Sequence, residues 1–134
     1  MAVILITHYL GVVREGTDRV CVMYAGNIVE EASTGELFRK PSHPYTQGLM
    51  AAVPKLTGGG VSDGIPGHKP EYLDPPTGCR FHPRCQYVMD ICRRQESRNY
   101  QISDTHTVAC FKYQEFDLKQ DINQINAVQS DRTK

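Results

Sequence analysis

The chain has 134 residues, which suffices for one domain or for two small parts of a divided one. Lys and Arg together number 15, and so do Asp and Glu, so the formal charge is zero. This balance excludes a strongly basic nucleic-acid-binding protein and an acidic tail. The sequence has no apolar run near the roughly 20 residues that a membrane-spanning helix needs.

Residues 3–6 are too short, and lack the preceding positive charge, to match a secretion signal. We therefore expect a reducing compartment, in which five cysteines favour metal ligation over disulfides. Apolar residues are also unevenly spread, because Leu, Ile, Val and Phe supply 16 of the first 56 residues but only 14 of the remaining 78. The first part can form its own core, whereas the second is expected to need a cross-link or a metal.

The first 56 residues alternate segments typical of strands and helices. Residues 2–6 are continuously apolar and predict a strand buried on both faces. The segments that follow predict a short helix, a β-hairpin and two more helices. In chain order these are a helix over 10–16, strands over 19–24 and 27–31, a helix capped by Ser33-Thr34 that stops before Pro41, and a helix from His43-Pro44 to Pro54. The alternation predicts an α/β fold for residues 1–56.

The remaining residues differ in composition from the first part. Residues 57–78 hold three consecutive glycines and four prolines, and predict a linker that is flexible at first and then extended. Residues 79–118 form a loop-rich, cysteine-rich module, and residues 119–134 form a polar tail that is expected to be a frayed helix or disordered.

Four cysteines of the module, separated by five, six and seventeen residues, can meet at one site: Cys79, Cys85, Cys92 and Cys110. Four thiolates can hold an iron–sulfur cluster or a tetrahedral zinc ion. The gaps are wider than the Cys-x2–4-Cys pairs of most zinc sites, which favours a cluster. Buried thiols or two disulfides remain alternatives. Cys21, between Val20 and Val22 in the predicted strand, is interpreted as an inert core thiol.

Charged and histidine side chains surround these cysteines in the sequence. Five arginines lie between residues 79 and 98 against Asp90 and Glu96, and this positive excess suits a site built from thiolates. A nucleic-acid patch is the alternative, although the neutral chain disfavours it. His82 and His106 are predicted to be surface residues, and the alternative is that one of them replaces a cysteine ligand.

His8 follows the predicted buried strand, where ligand contacts occur in parallel α/β sheets. A histidine at this point can bind a phosphate or orient a water, but it can equally be a capping or solvated residue. The chain contains no G-x-x-x-x-G-K-[ST] loop and no strand that ends in a carboxylate pair. By itself it is therefore expected neither to bind nucleotide tightly nor to hydrolyse it, and is not expected to be an enzyme.

Several segments together resemble the end of an ABC-transporter ATPase subunit, most closely those of dipeptide and oligopeptide importers. They are ILITHYLGVV (4–13), DRVCVMYAGNIVEE (18–31), ELF (36–38), HPYTQGL (43–49), IPG (65–67), LDPP (73–76) and GCRFHPRC (78–85). The resemblance covers roughly residues 3–112. It is specific because generic ABC ATPases lack the HPYT segment and the cysteine module.

The resemblance implies that this chain is a C-terminal part of a P-loop ABC ATPase, a domain or the product of a shortened reading frame, without Walker A, signature and Walker B. It implies that His8 is the switch histidine at the γ-phosphate, and that ATP and Mg act only in the full-length parent. Tyr9 stands where the family usually has Asp, and a tyrosine cannot cap the following helix as that Asp would. The four module cysteines match the ligands of a 4Fe–4S cluster with a structural role.

The implied partners are a sister ATPase subunit and the transmembrane permease subunits of a peptide importer, on the cytoplasmic face of the membrane. Self-association through residues 2–24 is also expected, because the missing strands leave apolar surface exposed. Two other classes stay open: a free-standing iron–sulfur redox carrier or sensor, and a zinc-bound interaction module.

Overall fold

The computed structural model describes residues 1–53, 64–69, 71 and 73–115. The first part contains α1 Leu10–Gly16, β1 Arg19–Tyr24, β2 Asn27–Ser33, α2 Thr34–Arg39 and α3 Pro44–Ala51. The cysteine-rich part contains α4 Asp90–Arg94, β3 Tyr100–Ser103 and β4 His106–Val108, with short 3₁₀ helices over His82–Arg84 and Phe111–Tyr113. The helices and the hairpin predicted between residues 10 and 51 are confirmed. No helix within the described ranges is long and apolar enough to cross a membrane.

β1 and β2 form an antiparallel hairpin whose register pairs Arg19 with Ser33. The turn between them is made by Ala25 and Gly26, which have φ angles of 47° and 86°. Two successive residues with positive φ match the right-handed twist of the strands they join, which explains the tight turn. β2 continues to Ser33, two residues beyond the predicted end at Glu31.

The cysteine-rich part adds two strands to this hairpin. The sheet has the order β1-β2-β4-β3, and all of its pairs are antiparallel. β4 pairs with β2 through Glu30 opposite Val108 and Glu31 opposite Thr107. The first part and the cysteine-rich part therefore share one sheet among the described residues.

Aromatic side chains from both parts meet in the core. Phe81, of the cysteine-rich part, is 2% exposed and belongs to the same buried cluster as Val22, Tyr24 and Leu37. The rings of Tyr24 and Phe81 have centroids 5.0 Å apart in an edge-to-face arrangement, a geometry that adds to simple burial. The cysteine-rich part thus contributes a buried aromatic side chain to the core of the first part.

The predicted buried strand over residues 2–6 is wrong in this structure. These residues form no strand, and Ile4 and Ile6 are 90% and 94% exposed. A strand needs a neighbour that pairs with its backbone groups, and none of the four described strands pairs with this segment. Its apolar side chains therefore have no face to pack against among the described residues.

The interpretation of Cys21 as a core thiol is also wrong. Cys21 is exposed, because the alternate residues Val22 and Tyr24 of β1 take the core-facing positions. The period of two places the thiol on the opposite face.

The predicted cap of α2 is made differently from the expectation. Ser33 occupies the N-cap position, but its side chain makes no capping hydrogen bond. Thr34 instead donates its hydroxyl to the backbone carbonyl of Thr17, at 2.7 Å, and its backbone N–H donates to the carbonyl of Asp18. These bonds attach the start of α2 to the segment before β1.

The predicted linker lies partly outside the described residues, as does the whole polar tail over 119–134. Of the linker residues that are described, Ile65 packs on α3 at Gly48, where a Cβ atom would lie 2.5 Å from Ile65 Cγ1. Arg84 donates hydrogen bonds to the carbonyls of Ile65 and Pro66 at 2.8 and 3.0 Å. This stretch is therefore held between α3 and the cysteine-rich part.

Candidate functional site

The four cysteines of the module line one small cavity. Cys79 precedes the first 3₁₀ helix, Cys85 follows it, Cys92 lies on α4 and Cys110 precedes the second 3₁₀ helix. The cavity wall is otherwise largely apolar or aromatic, and includes Phe81, Tyr87, Met89 and Phe111. The fold thus brings together the residues that the sequence selected as a possible ligand set.

A glycine at the entrance of this segment permits the close approach of two of the cysteines. The backbone N–H of Cys79 donates to the carbonyl of Cys92 at 2.8 Å. Gly78, just before Cys79, has a φ of 72°, and a Cβ there would lie 2.4 Å from the Cys92 carbonyl oxygen. Only glycine accepts both constraints without strain, so Gly78 fixes how the 79–85 loop meets α4.

All five cysteines of the chain are free thiols, so the disulfide alternative is not realised. Burial raises the pKa of the Cys79 and Cys85 thiols. Proximity to Cys92 raises both values further, and Cys85 also raises that of Cys79. Burial likewise raises the pKa of Cys110 to about 11. A group bound by these sulfurs must therefore supply the positive charge that displaces their protons.

Four free sulfhydryls line one largely apolar cavity, and thiols are the donor type that iron–sulfur clusters use. Within the described ranges, His, Cys, Asp and Glu side chains form no group of three or more arranged to hold a metal ion.

His43 lines the same cavity. From the sequence it was interpreted as the start of a helix and as part of the HPYT segment, not as a site residue. It is the N-cap of α3, and its Nδ1 accepts a hydrogen bond from the Tyr45 backbone N–H at 3.1 Å. Its ring centroid lies 5.7 Å from that of Phe81. Burial lowers its pKa to about 4, so the ring is neutral at physiological pH. The sequence feature that could have identified this residue is the histidine of the HPYT segment.

His82 is a second histidine on the cavity wall and is half-buried. Its Nδ1 lies 2.9 Å from the backbone oxygen of Cys79. A carbonyl oxygen only accepts hydrogen bonds, so Nδ1 carries the proton and donates. When the ring is neutral, its Nε2 is therefore an acceptor, the opposite of the tautomer that His43 adopts.

His106 is buried, so the prediction that it is a surface residue is wrong. It does not line the cysteine cavity. It is 0% exposed, and its Nε2 lies 2.6 Å from Oε1 of Glu30, which is 1% exposed. Glu30 also accepts backbone N–H bonds from Ser42 at 2.7 Å and from His43 at 2.8 Å. This buried carboxylate connects β2, the start of α3 and β4.

The other ring nitrogen of His106 faces a second carboxylate. Nδ1 lies 3.4 Å from Glu36 Oε1. Glu36 accepts hydroxyl hydrogen bonds from Ser103 and Thr105, both at 2.7 Å, and hydrogen bonds from Thr105 and then Ser103 lower its pKa. The β3–β4 turn is thereby attached to α2. Neither glutamate was predicted from the sequence as a buried partner, although Glu30 follows Val29 in a predicted strand.

Two of the five arginines, Arg80 and Arg84, donate hydrogen bonds to backbone carbonyls. Arg80 donates to the carbonyl of Ala25 in the hairpin turn, and Arg84 donates to the linker carbonyls and lies 3.5 Å from the Tyr24 hydroxyl. The Arg98 guanidinium lies 5.0 Å from the Tyr100 ring centroid. Arg80 and Arg84 thus connect the cysteine-rich part to the hairpin turn and the linker.

His8 lies away from the cysteine cavity, on an open groove that α1 shares with Leu49 and Val53 of the α3 region. It is exposed, and its ring centroid is 4.2 Å from that of Tyr9. Tyr9 is the N-cap of α1 and its side chain makes no capping hydrogen bond. This matches the consequence predicted for a tyrosine at this position.

A helix, an antiparallel hairpin and two further helices, followed by a cysteine-rich extension on the same sheet, are consistent with the C-terminal part of an α/β ABC ATPase. Residues 29–92 match the family described as the oligopeptide/dipeptide transporter, C-terminal region. The chain is therefore similar to the C-terminal region of the ATP-binding proteins of peptide ABC importers, which confirms the resemblance found in the sequence.

Individual relatives agree with this assignment. The dipeptide transport ATP-binding protein DppD of Caldanaerobacter subterraneus subsp. tengcongensis is 40% identical over 116 residues, 86% of this chain and 36% of that protein. The oligopeptide transport ATP-binding protein OppD of Bacillus subtilis is 47% identical over 109 residues, 80% of this chain and 30% of that protein. AppD of the same organism, an oligopeptide transport ATP-binding protein, is 44% identical over 115 residues, 85% of this chain and 35% of that protein. The chain spans about a third of the length of these relatives.

Proposed function

We propose that this chain serves in the ATP-binding subunit of an ABC importer for dipeptides or oligopeptides. The observation that carries the proposal is the match of residues 29–92 to the C-terminal region of that transporter family. In the working transporter, the subunit acts on the cytoplasmic face of the membrane, with a sister ATPase subunit and transmembrane permease subunits. ATP-driven closure of the two ATPase subunits opens the permease.

His8 is proposed as the residue of this chain that acts at the nucleotide. It lies exposed immediately before α1, so its ring is accessible to a phosphate presented by the rest of an ATPase. A neutral imidazole there can donate a hydrogen bond to the γ-phosphate and help to position the attacking water.

Cys79, Cys85, Cys92 and Cys110 are proposed to hold a 4Fe–4S cluster. The support is their convergence on one largely apolar cavity as free thiols, together with gaps wider than those of most zinc sites. The bound group, when present, supplies iron and sulfide that cross-link four separate points of the backbone.

The role proposed for this cross-link is structural. Among its described residues, the cysteine-rich part has four buried apolar side chains, namely Phe81, Cys92, Tyr100 and Val108. So small a set stabilises a segment weakly, and ligand binding then contributes directly to the free energy of folding. This account is preferred to electron transfer, since the sequence shows no motif for a second cofactor.

Anaerobic reconstitution of the full chain with iron and sulfide tests the cluster. The expected result is a broad visible absorbance with about four irons per chain and a higher unfolding temperature. Cys85→Ser is expected to lose this iron, whereas Cys21→Ser is the matched control because Cys21 lies exposed on β1 and outside the cavity. Colourless protein with one zinc, or equal iron in both variants, would contradict the proposal. Transport by the full-length importer that survives iron loss in Cys85→Ser would contradict the structural role.

A further inference from the structure

The two histidines that line the cysteine cavity, His43 and His82, carry the proton of the neutral ring on different nitrogens. The Tyr45 backbone N–H occupies Nδ1 of His43, and a backbone N–H can only donate. Nδ1 therefore holds a lone pair, and the proton of the neutral ring resides on Nε2. The start of α3 thus sets the tautomer of a histidine whose ring lines the cavity.

The position of the His43 ring is held from several sides. Its side chain is almost completely buried, its ring packs near Phe81, and its own backbone N–H donates to the buried carboxylate of Glu30 at 2.8 Å. A ring fixed in this way cannot turn to exchange Nδ1 for Nε2 without breaking the Tyr45 bond. The N–H donor is therefore preorganised.

We propose that His43 Nε2–H donates a hydrogen bond to a sulfur atom of the group held by the four cysteines. Four of the side chains that line the cavity with His43 are thiols, and the other polar ones are His82 and Ser97. Hydrogen bonds to sulfur stabilise the more negative, reduced state of a cluster and so raise its potential. The inference rests on the proposed cluster and adds a donor outside the ligand set.

The test compares His43→Leu, which removes the donor, with His43→Gln, whose amide can donate from nearly the same position. Both variants lose the ring that accepts from Tyr45, so their difference reports the Nε2 donor. His82→Asn is the matched control, because His82 lines the same cavity. Its Nδ1–H donates a hydrogen bond to the backbone carbonyl of Cys79, and an asparagine amide can keep that bond. Each protein is the full chain, reconstituted anaerobically, with iron measured.

At equal iron content, the midpoint potential of His43→Leu is expected to fall below that of the wild type. His43→Gln should recover part of the loss, and His82→Asn should stay near the wild-type value. Equal potentials in His43→Leu and the wild type would overturn the inference while leaving the cluster intact. Wild-type chain that takes up no iron, or only zinc, would overturn the proposed cluster and this inference together.

A spectroscopic signature keeps the test decisive if His43→Leu fails to fold. Pulsed EPR of the reduced, ¹⁵N-histidine-labelled wild type is expected to show a coupling between the cluster and one histidine nitrogen. That coupling should persist in His82→Asn and disappear in His43→Gln. Absence of the coupling from the loaded wild type, or its survival in His43→Gln, would refute the hydrogen bond.

Discussion

His106 Nε2 lies 2.6 Å from Glu30 Oε1, and the two residues are separated by 76 positions in the chain. Both are almost completely buried. The contact joins β4 of the cysteine-rich part to β2 of the hairpin, and Glu30 also accepts the backbone N–H groups at the start of α3. One carboxylate therefore satisfies three donors from two distant segments.

Replacing this carboxylate should destabilise the whole described fold. Glu30→Gln puts an amide N–H where Glu30 accepts backbone N–H bonds, leaving buried groups unpaired. Each buried hydrogen-bonding group left unpaired costs about 1–3 kcal/mol, and we expect a loss of at least this size in urea unfolding. Glu31→Gln is the neighbouring control, because Glu31 pairs with exposed Arg19 at the surface and such pairs contribute about 0–1 kcal/mol. Equal losses in the two variants would contradict the role of Glu30.

His43 should make the stability of the protein fall in mild acid. Its pKa is lowered by burial from 6.5 to about 4, so the unfolded chain binds this proton more readily than the folded one. The free energy of unfolding is therefore unaffected by this group above about pH 6.5, and it decreases as the pH falls toward 4. The full loss is about 3 kcal/mol, from about 1.36 kcal/mol for each pKa unit.

Urea unfolding of the wild type and His43→Gln at pH 7.5, 5.5 and 4.5, at equal iron content, measures this effect. The wild type should lose more stability than the variant over this range, because glutamine does not titrate. Parallel curves would show that the folded ring titrates normally. Glu36, whose pKa is lowered mainly by Thr105, adds a loss below its ordinary pKa in both proteins and cancels in the comparison.

Gly78→Ala should disrupt the cysteine cavity. The φ of 72° disfavours any residue with a Cβ by about 1–2 kcal/mol, and that Cβ would meet the Cys92 carbonyl at 2.4 Å. We expect a lower melting temperature and reduced iron after reconstitution. Gly11→Ala, in α1 with open space around it, should be neutral or stabilising by up to about 1 kcal/mol. Full iron binding by Gly78→Ala would show that the loop tolerates the shift.

His8→Ala in a full-length ATP-binding subunit should lower ATP turnover with little change in nucleotide affinity, because the ring is proposed to act on the attacking water. The measurement is phosphate release alongside nucleotide binding. Tyr9→Asp is the companion variant: it offers α1 the side-chain cap that Tyr9 does not make, and is expected to stabilise that helix by about 0.5–2 kcal/mol. Unchanged turnover in His8→Ala would remove His8 from the mechanism.

The local elements were predictable because their signals are local. The Ala25-Gly26 turn, the proline at the start of α3 and the alternation in β1 depend on backbone preferences of adjacent residues. The selection of the four cysteines was predictable for a similar reason, since three of them fall within 14 residues and share a loop-rich segment. These features followed from the amino-acid sequence by itself.

Other features depended on which distant segments meet. The sequence of residues 2–6 predicts a buried strand. A buried strand needs a neighbouring strand to pair with, and none of the described strands pairs with this segment. Cys21 is exposed because it lies on the face of β1 opposite the core, and the partners of His106 come from β2 and α2. The type of a side chain determines which hydrogen bonds it can form. Only the tertiary structure determines which groups are buried against one another. The free energy of a buried charge or strand depends on that shared loss of solvent.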